Sequence, residues 1–401
     1  MTSPISTSIR TRPTHDLTES PLTIIMVMPS QDFVTGYTGG AIASPFVVNN
    51  LTEITASNLA MLGTPATDST FMAKAAYEYI ESGSSVHVYA LPFNAASGDD
   101  FPTRAPKVVT AINALDTSVV KNVLPRAQAD MLLVPRETAF GPTDDVNSIL
   151  SAIETVCQSS HMGLVALVDV GNATALANTA NPAATAPTTA DLTTTIKNRY
   201  RHLHIYAMSN RGATSNYPGM WGSVIAAGHQ ARYASIDGVG AYPWNLRDAI
   251  SGVHSLAPER VFDPGDGSSE AVSLAATDKL SSIIQWEGVD YLWGGESYSA
   301  QADPRQNIGN HIVANRMIKR SKRVMAPYLR LRGTGATLDS LQVSVELPLQ
   351  HLYVPRTVER VTARVPTITS GHVSIILDVK FYDFINSIAL TVEVFDNETA
   401  T

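Results

Sequence analysis

Two histidines two residues apart, His202 and His204, and a turn holding Asp263, Asp266 and Glu270 are the best candidates in this chain for chemistry. Residues i and i+2 of a strand share a face, so the histidine pair offers two nitrogens toward one metal ion. No third ligand is spaced to join them, and the pair reads as a core or interface feature. The segment "FDPGDGSSE" (262–270) lacks the ligand spacing of a calcium loop and reads as a solvated acidic turn. Phosphate signatures are missing too: there is no GxxxxGK(S/T) loop and no GxGxxG opening a helix after the first strand. "SIDGVGAYP" runs into Tyr242 and Pro243 instead of a helix start, and the glycine pair of "GYTGGAI" (36–42) reads as a turn. No GxSxG elbow, HExxH pair or Cys/His nucleophile is present. The single cysteine, Cys157, excludes an internal disulfide and a four-cysteine zinc site, and is expected to be a small buried hydrophobe in a helix. The expectation is a chain with no catalytic residues, no metal and no cofactor.

The elements that would position such residues follow from the apolar pattern. "LTIIMVMP" (22–29) is a continuous apolar run of strand length. "STFMAKAAYEYIESG" (69–83) places Phe71, Met72, Ala75, Ala76, Tyr79 and Ile80 at helical spacing and stops at Gly83. Strands are predicted at 85–91, 130–136, 163–170 and 202–208, with helices over 146–160 and near 220–233. Strands buried on both faces and alternating with helices indicate a mostly parallel sheet covered by helices. Residues 171–192 are an Ala/Thr/Pro low-complexity stretch and read as a surface loop.

The second half changes character. Residues 262–304 carry eight acidic residues and one base, Lys279, whereas residues 305–338 carry eight basic residues and no acid. In the basic segment Arg316, Lys319, Arg320, Lys322 and Arg323 interleave with Ile312, Val313, Met317, Ile318, Val324 and Met325, the pattern of an amphipathic helix with a cationic face. It lacks interleaved aromatics for base stacking, and the chain carries a net charge of −8, so nucleic acid is not the expected partner. Adjoining segments of opposite sign suit contacts between copies, where complementary charge sets register. Val373, Ile375, Leu377, Val379 and Phe381 alternate with Ser374, Asp378, Lys380 and Tyr382, with Ile376 the exception. Ile388, Leu390, Val392 and Val394 repeat the pattern. Such alternation predicts half-buried antiparallel strands, and an α/β part is expected to give way to an α+β part near 270.

At 401 residues, 44% hydrophobic and 16% charged, with 25 Gly and 23 Pro, the composition is globular with a loop-rich tilt. Residues 1–20 are Ser/Thr/Pro-rich with two arginines and no apolar core, unlike a signal peptide. No run of about 18 apolar residues suggests a membrane span. The Asn-x-Thr triplets at Asn50, Asn172 and Asn397 are read as chance matches in a cytoplasmically made protein.

The order of several segments resembles the sheath proteins of contractile phage tails and related contractile injection systems. "FMAKAAYEYIESGSSVHVYAL" resembles that family's helix, glycine turn and strand. "RYRHLHIYAMSNRG", "NYPGMWGSVIAAGHQARYASIDGVGAYPWN" and "ISGVHSL" resemble its strand, small-residue helix and Trp-containing loop. "LSSIIQWEGVDYLWGGESYSA" is similar to its Leu-rich helix, Trp-Gly strand and polar turn, with Gly295-Glu296-Ser297 where Ala-Arg-Thr is common. "NHIVANRMIKRSKRVM" resembles the helix that opens its last domain, and "SGHVSIILDVKFYDFINSIALTVEVF" its terminal strands.

The resemblance implies an extended N-terminal arm (1–20), an α/β sheath domain (21–270), an α+β C-terminal sheath domain facing a tube (271–385) and a C-terminal arm strand (386–401). It implies a homo-oligomer of hexameric rings stacked helically in a virion tail, assembled in a bacterial cytoplasm, that contracts to drive a tail tube through an envelope. Tube, baseplate and tail terminator proteins would be the partners, without nucleic acid or membrane insertion. Arg316, Lys319, Arg320, Lys322 and Arg323 would face the tube, and Ile5, Ile9, Ile388, Leu390, Val392 and Val394 would lie on arm strands added to a neighbour's sheet. Trp293, Gly294 and Gly295 would form a structural turn before the tube-facing helix. The alternatives are an α/β enzyme or nucleotide-binding protein with a site at the strand ends, and another self-assembling shell component.

Overall fold

The computed structural model describes residues 20–29, 46–62, 73–95, 99–115, 129–135, 137–138, 143–158, 163–170, 203–207, 213–214, 221–250, 253–255, 262–263, 266, 268–273, 275, 280–295, 307–328, 334–354, 357–365, 368–369 and 372–382. Its first strand, β1 (Leu22–Pro29), is buried along its whole length, as an apolar run with a single polar residue, Thr23, requires. β1 pairs in parallel with β3 (Val86–Phe93), Leu22 opposite Val86, and on its other side with β4 (Met131–Val134). The parallel order continues through β5 (Val165–Val170), β6 (Leu203–Ala207) and β9 (Leu280–Trp286). Short antiparallel edges, β2 (Thr52–Glu53) and β10 (Val289–Trp293), complete an eight-stranded sheet ordered β10-β9-β6-β5-β4-β1-β3-β2. A mostly parallel sheet covered by helices is what the alternating pattern predicts.

Helices close the faces. α1 (Ala73–Glu81) packs on α4 (Gly222–Asp237), and α2 (Phe101–Ala114) packs on α3 (Thr143–Gln158). The first ten residues of α4, rich in Gly and Ala, are all buried. Small residues let α4 approach α1 so closely that a Cβ on Gly228 would lie 2.8 Å from the Tyr79 ring. Cys157 is buried in α3, as expected. No described helix is long and apolar enough to cross a membrane.

Residues 280–293 depart from expectation in two ways. The Leu-rich segment read by resemblance as a helix is the strand β9, folded back on β10 as a hairpin. Its two-residue loop, Glu287-Gly288, has φ of 51° and 78°, the left-handed geometry whose twist matches a hairpin. The hairpin also joins the main sheet through β6, so the α/β sheet runs on past 270.

Beyond it, α6 (Ile308–Met325) leads to α7 (Gly335–Tyr353), which packs on α6 and on β11 (Val358–Arg364). β11 pairs antiparallel with β14 (Ile376–Phe381). Phe381 is buried and Leu377 and Val379 are half-buried, while Asp378 and Lys380 pair across the outer face with Arg364 and Glu359, each at 2.6 Å. The alternation is as read, and Ile376, its exception, is exposed. Two further antiparallel pairs of short strands are formed by β7 (Ala213–Thr214) with β8 (Val253–Ser255), and by β12 (Ile368–Thr369) with β13 (His372–Val373). A one-turn helix, α5 (Glu270–Ser273), precedes β9.

Candidate functional site

The carboxyl ends of the parallel strands are where an open α/β sheet would hold a ligand. Here several polar side chains bind one another, while Arg104 Nε and Glu137 Oε2 are buried without a hydrogen-bond partner among the described residues. Arg104 of α2 pairs with Glu137, just beyond β4, and both are buried. The Thr138 hydroxyl donates to the Asp169 carbonyl at 2.7 Å. The Asp169 carboxylate accepts from the Ser223 N–H at 2.9 Å and the Ser223 hydroxyl at 2.6 Å, satisfying the first turn of α4, whose N-cap residue Trp221 makes no side-chain cap. Arg104, Glu137, Thr138, Asp169 and Ser223 are each at most 4% exposed. No group of three metal-ligating side chains occurs among the described residues. Asp263 and Asp266 are exposed, and Asp266 accepts from Ser268, as a solvated turn does. His202 lies outside the described residues, and His204 stands on β6 opposite Leu167.

The glycine pair after Trp293 is a packing joint. Gly294 and Gly295 have φ of 106° and 80°, backbone that favours glycine. A Cβ on Gly294 would meet the Ser281 backbone at 2.8 Å, and one on Gly295 the Trp244 ring at 2.7 Å. Gly295 N–H donates to Ser281 Oγ at 2.6 Å, the Tyr242 hydroxyl donates to the Gly294 carbonyl, and the Gly295 carbonyl accepts from Ile308 N–H at 3.1 Å. Trp293 packs edge-on against Phe262 with centroids 4.9 Å apart. These contacts tie the end of β10 to the first residue of α6.

α6 starts under equally tight control. Asn307 caps it, its Oδ1 accepting from the N–H groups of Gly309 at 3.0 Å and Asn310 at 3.3 Å. Gly309 crosses the chain at Gly240 and Ala241 so closely that a Cβ would be 2.6 Å from the Gly240 carbonyl oxygen. Ile308, Ile312, Val313, Met317 and Val324 are buried on the inner face, matching the amphipathic pattern.

The five cations of this helix divide. Arg316 points inward and is 7% exposed. Its guanidinium donates from Nε to Asp130 Oδ1 at 2.8 Å and from Nη2 to Asp130 Oδ2 at 2.7 Å. It also donates to the carbonyls of Ser20, from Nη1 at 2.7 Å, and Pro21, from Nη2 at 2.8 Å. Lys319 also turns inward, donating to the Ala129 carbonyl, and burial pulls its ammonium down to about 8. Lys322 and Arg323 are exposed and Arg320 is half-exposed, flanked by the exposed apolar side chain of Ile318. The outward cationic surface is thus Arg320, Lys322 and Arg323.

Sequence reasoning missed Asp130, Ser281 and Trp244, the residues that hold α6 and the glycine joint. An aspartate abutting the apolar run "MLLV" was the one local signal of a buried ion pair. Ile5, Ile9, Ile388, Leu390, Val392, Val394 and the glycine pair of 36–42 lie outside the described residues.

No protein-family model matches the chain, and no curated protein sequence matches it. Several solved structures do. A chain of the anti-feeding prophage baseplate, 6-fold symmetrised, superposes with a TM-score of 0.65 at 14% identity, covering 98% of this chain and 99% of that chain. The contracted sheath complex of an extracellular contractile injection system, PVC, gives 0.63 at 14% identity, covering 98% of both. A sheath tail protein from Listeria innocua gives 0.52 at 8% identity, covering 91% of this chain and 96% of that one. At these identities the likeness is one of fold: the chain has the fold of contractile sheath proteins.

Proposed function

We propose that the chain is a structural subunit of a contractile tail sheath, polymerising as a six-fold helical cylinder around a tail tube and contracting to drive that tube through a cell envelope. The observation that carries this reading is coverage. The chain accounts for nearly the whole length of sheath-complex and baseplate chains, and they for nearly the whole of it. A shared sheet alone would match a part.

The site supports the same reading. At the strand ends the Arg104–Glu137 pair and the Thr138, Asp169 and Ser223 hydrogen bonds tie β4 and β5 to α2 and α4, a use of polar groups that suits a structural subunit. In a sheath, energy resides in two packings of the same subunit. We assign the outward cations Arg320, Lys322 and Arg323 to an acidic tube surface, with Arg316 and Lys319 holding the helix that presents them. β14 pairs on one side with β11, and among the described residues nothing pairs with its other side. The opposite side of β11 is partly covered, Gln350 donating to the Val361 carbonyl at 3.0 Å and Glu346 accepting from Ala363 N–H at 2.9 Å. The free β14 edge suits an added strand, and residues 386–401, or 1–20, of a neighbouring copy are the proposed donors. Baseplate and terminator contacts and assembly in a bacterial cytoplasm belong to the same proposal, with the C-terminal part starting after the β9–β10 hairpin rather than at 271.

Sedimentation velocity over a range of concentrations, with and without tube protein, tests this reading. Particles of many subunits are expected, growing in length with tube present. A monomer under every condition contradicts it.

A further inference from the structure

We infer that Arg316 is a clamp that fixes the course of the chain at Ser20 and Pro21, just before β1, and holds it in register with the basic face of α6. One guanidinium gathers three regions distant in the chain: Ser20 and Pro21, Asp130 at the head of β4, and α6 itself. Ser20 and Pro21 stand immediately before β1. A guanidinium only donates, so carbonyls are the backbone handles it can take, and Arg316 takes two in succession. The grip is doubled from below. Asp130 Oδ2 also accepts from Thr23 N–H at 2.9 Å, and Asp130 N–H donates to the Thr23 carbonyl at 2.8 Å. Leu22, between the two grips, is buried.

A planar fork is the group that can do this. It places parallel donors on the carboxylate while the remaining N–H groups of Nη1 and Nη2 reach one carbonyl each, a spread that a single ammonium cannot span. A buried bidentate pair beneath an exit point has only a few degrees of freedom, so the chain at Ser20 points one way. Arg320, Lys322 and Arg323 follow Arg316 within two turns of the same rigid helix, about 6–10 Å along its axis. The clamp therefore couples the course of the chain at Ser20 and Pro21 to the orientation of the cationic face. Given the sheath reading proposed above, on which this step rests, Arg316 sets the angle at which a subunit reaches its neighbour while its helix faces the tube.

The test reads the clamp and the polymer separately. Spin labels are placed at Ser20→Cys and, on α3, at Thr155→Cys, in a Cys157→Ala background, and their distance distribution is measured by pulsed electron resonance. A narrow distribution is expected with Arg316 and a broad one with Arg316→Lys. In unlabelled protein, Arg316→Lys is expected to raise the concentration needed for assembly about tenfold or more, the factor set by losing preorganisation at one charge-assisted contact. Should Arg316→Lys not fold, the pair Asp130→Asn with Arg316→Gln removes both buried charges together and serves in its place. A distribution that stays narrow overturns the clamp. A broad distribution with unchanged assembly overturns its role in the polymer. If the protein with Arg316 intact never assembles, the sheath reading fails, and the label distances still decide the clamp.

Discussion

Gly295 lies against the face of Trp244 so closely that a Cβ there would come within 2.7 Å of the indole ring. Tyr242 stacks on the same indole with centroids 5.9 Å apart and an interplanar angle of 22°, so the ring has little room to move away. Gly295→Ala therefore combines left-handed backbone strain with a clash against a buried aromatic, at a cost of about 2–4 kcal/mol. Urea unfolding of the two proteins measures it, and a change under about 0.5 kcal/mol would mean the joint is slack.

His229 offers a pH test of the core. Buried on α4 edge-on to Tyr233, with Arg232 nearby, its imidazole is held down to about 4 by burial first and by the arginine second, with Asp248 opposing. The folded state thus resists a proton that the unfolded chain accepts near 6.5, so stability falls as pH drops from about 6.5 toward 4. In His229→Gln that part of the slope is absent. Melting curves at pH 7, 6, 5 and 4.5 compare the two, and parallel profiles would remove His229 from the account.

Lys319 acts at the other end of the scale. Its folded value of about 8 lies below its ordinary 10.5, chiefly because burial penalises the charge. Below pH 8 the ammonium is held at a cost, and that cost disappears as pH rises from about 8 toward 10.5. Relative to Lys319→Met, the wild type should gain stability over that interval. A difference between the two that is flat from pH 7 to 10 contradicts the inward placement of the lysine.

Charge reversal separates folding from assembly. Arg320→Glu, Lys322→Glu and Arg323→Glu together alter only outward cations, so the melting temperature of the subunit should stay close to that of the wild type. Assembly on a tube should fail, because like charges would face an acidic surface. The wild type should also lose tube affinity as salt rises. Normal assembly of the triple variant would take the tube-facing role away from this helix.

How much of this was legible in the sequence depends on distance along the chain. β1 and β3 could be read because strands buried on both faces have apolar runs that need no partner to be recognised. The amphipathic face of α6 was visible for a similar reason: helical period is local. The role of Arg316 was not, since Asp130 lies 186 residues away and no periodicity links them. Five cations on one helix looked alike in the sequence. Only packing separates Arg316 and Lys319, which hold the helix, from Arg320, Lys322 and Arg323, which face out. No element was predicted over α2, which carries Pro102 in the tolerated first turn behind the Asp100 cap and Pro106 inside the helix. β9 was read as a helix by resemblance alone; its Ser281 and Ser282 are fully buried, and Ser281 lies against Gly294. β14 was predicted as a strand, while no element was predicted over its partner β11.

Electron microscopy of the purified protein, alone and with tube protein, tests the central claim most directly. The account predicts hollow, striated cylinders of uniform diameter with six-fold symmetry in cross-section. Compact single particles that persist at high concentration with tube protein present would contradict it.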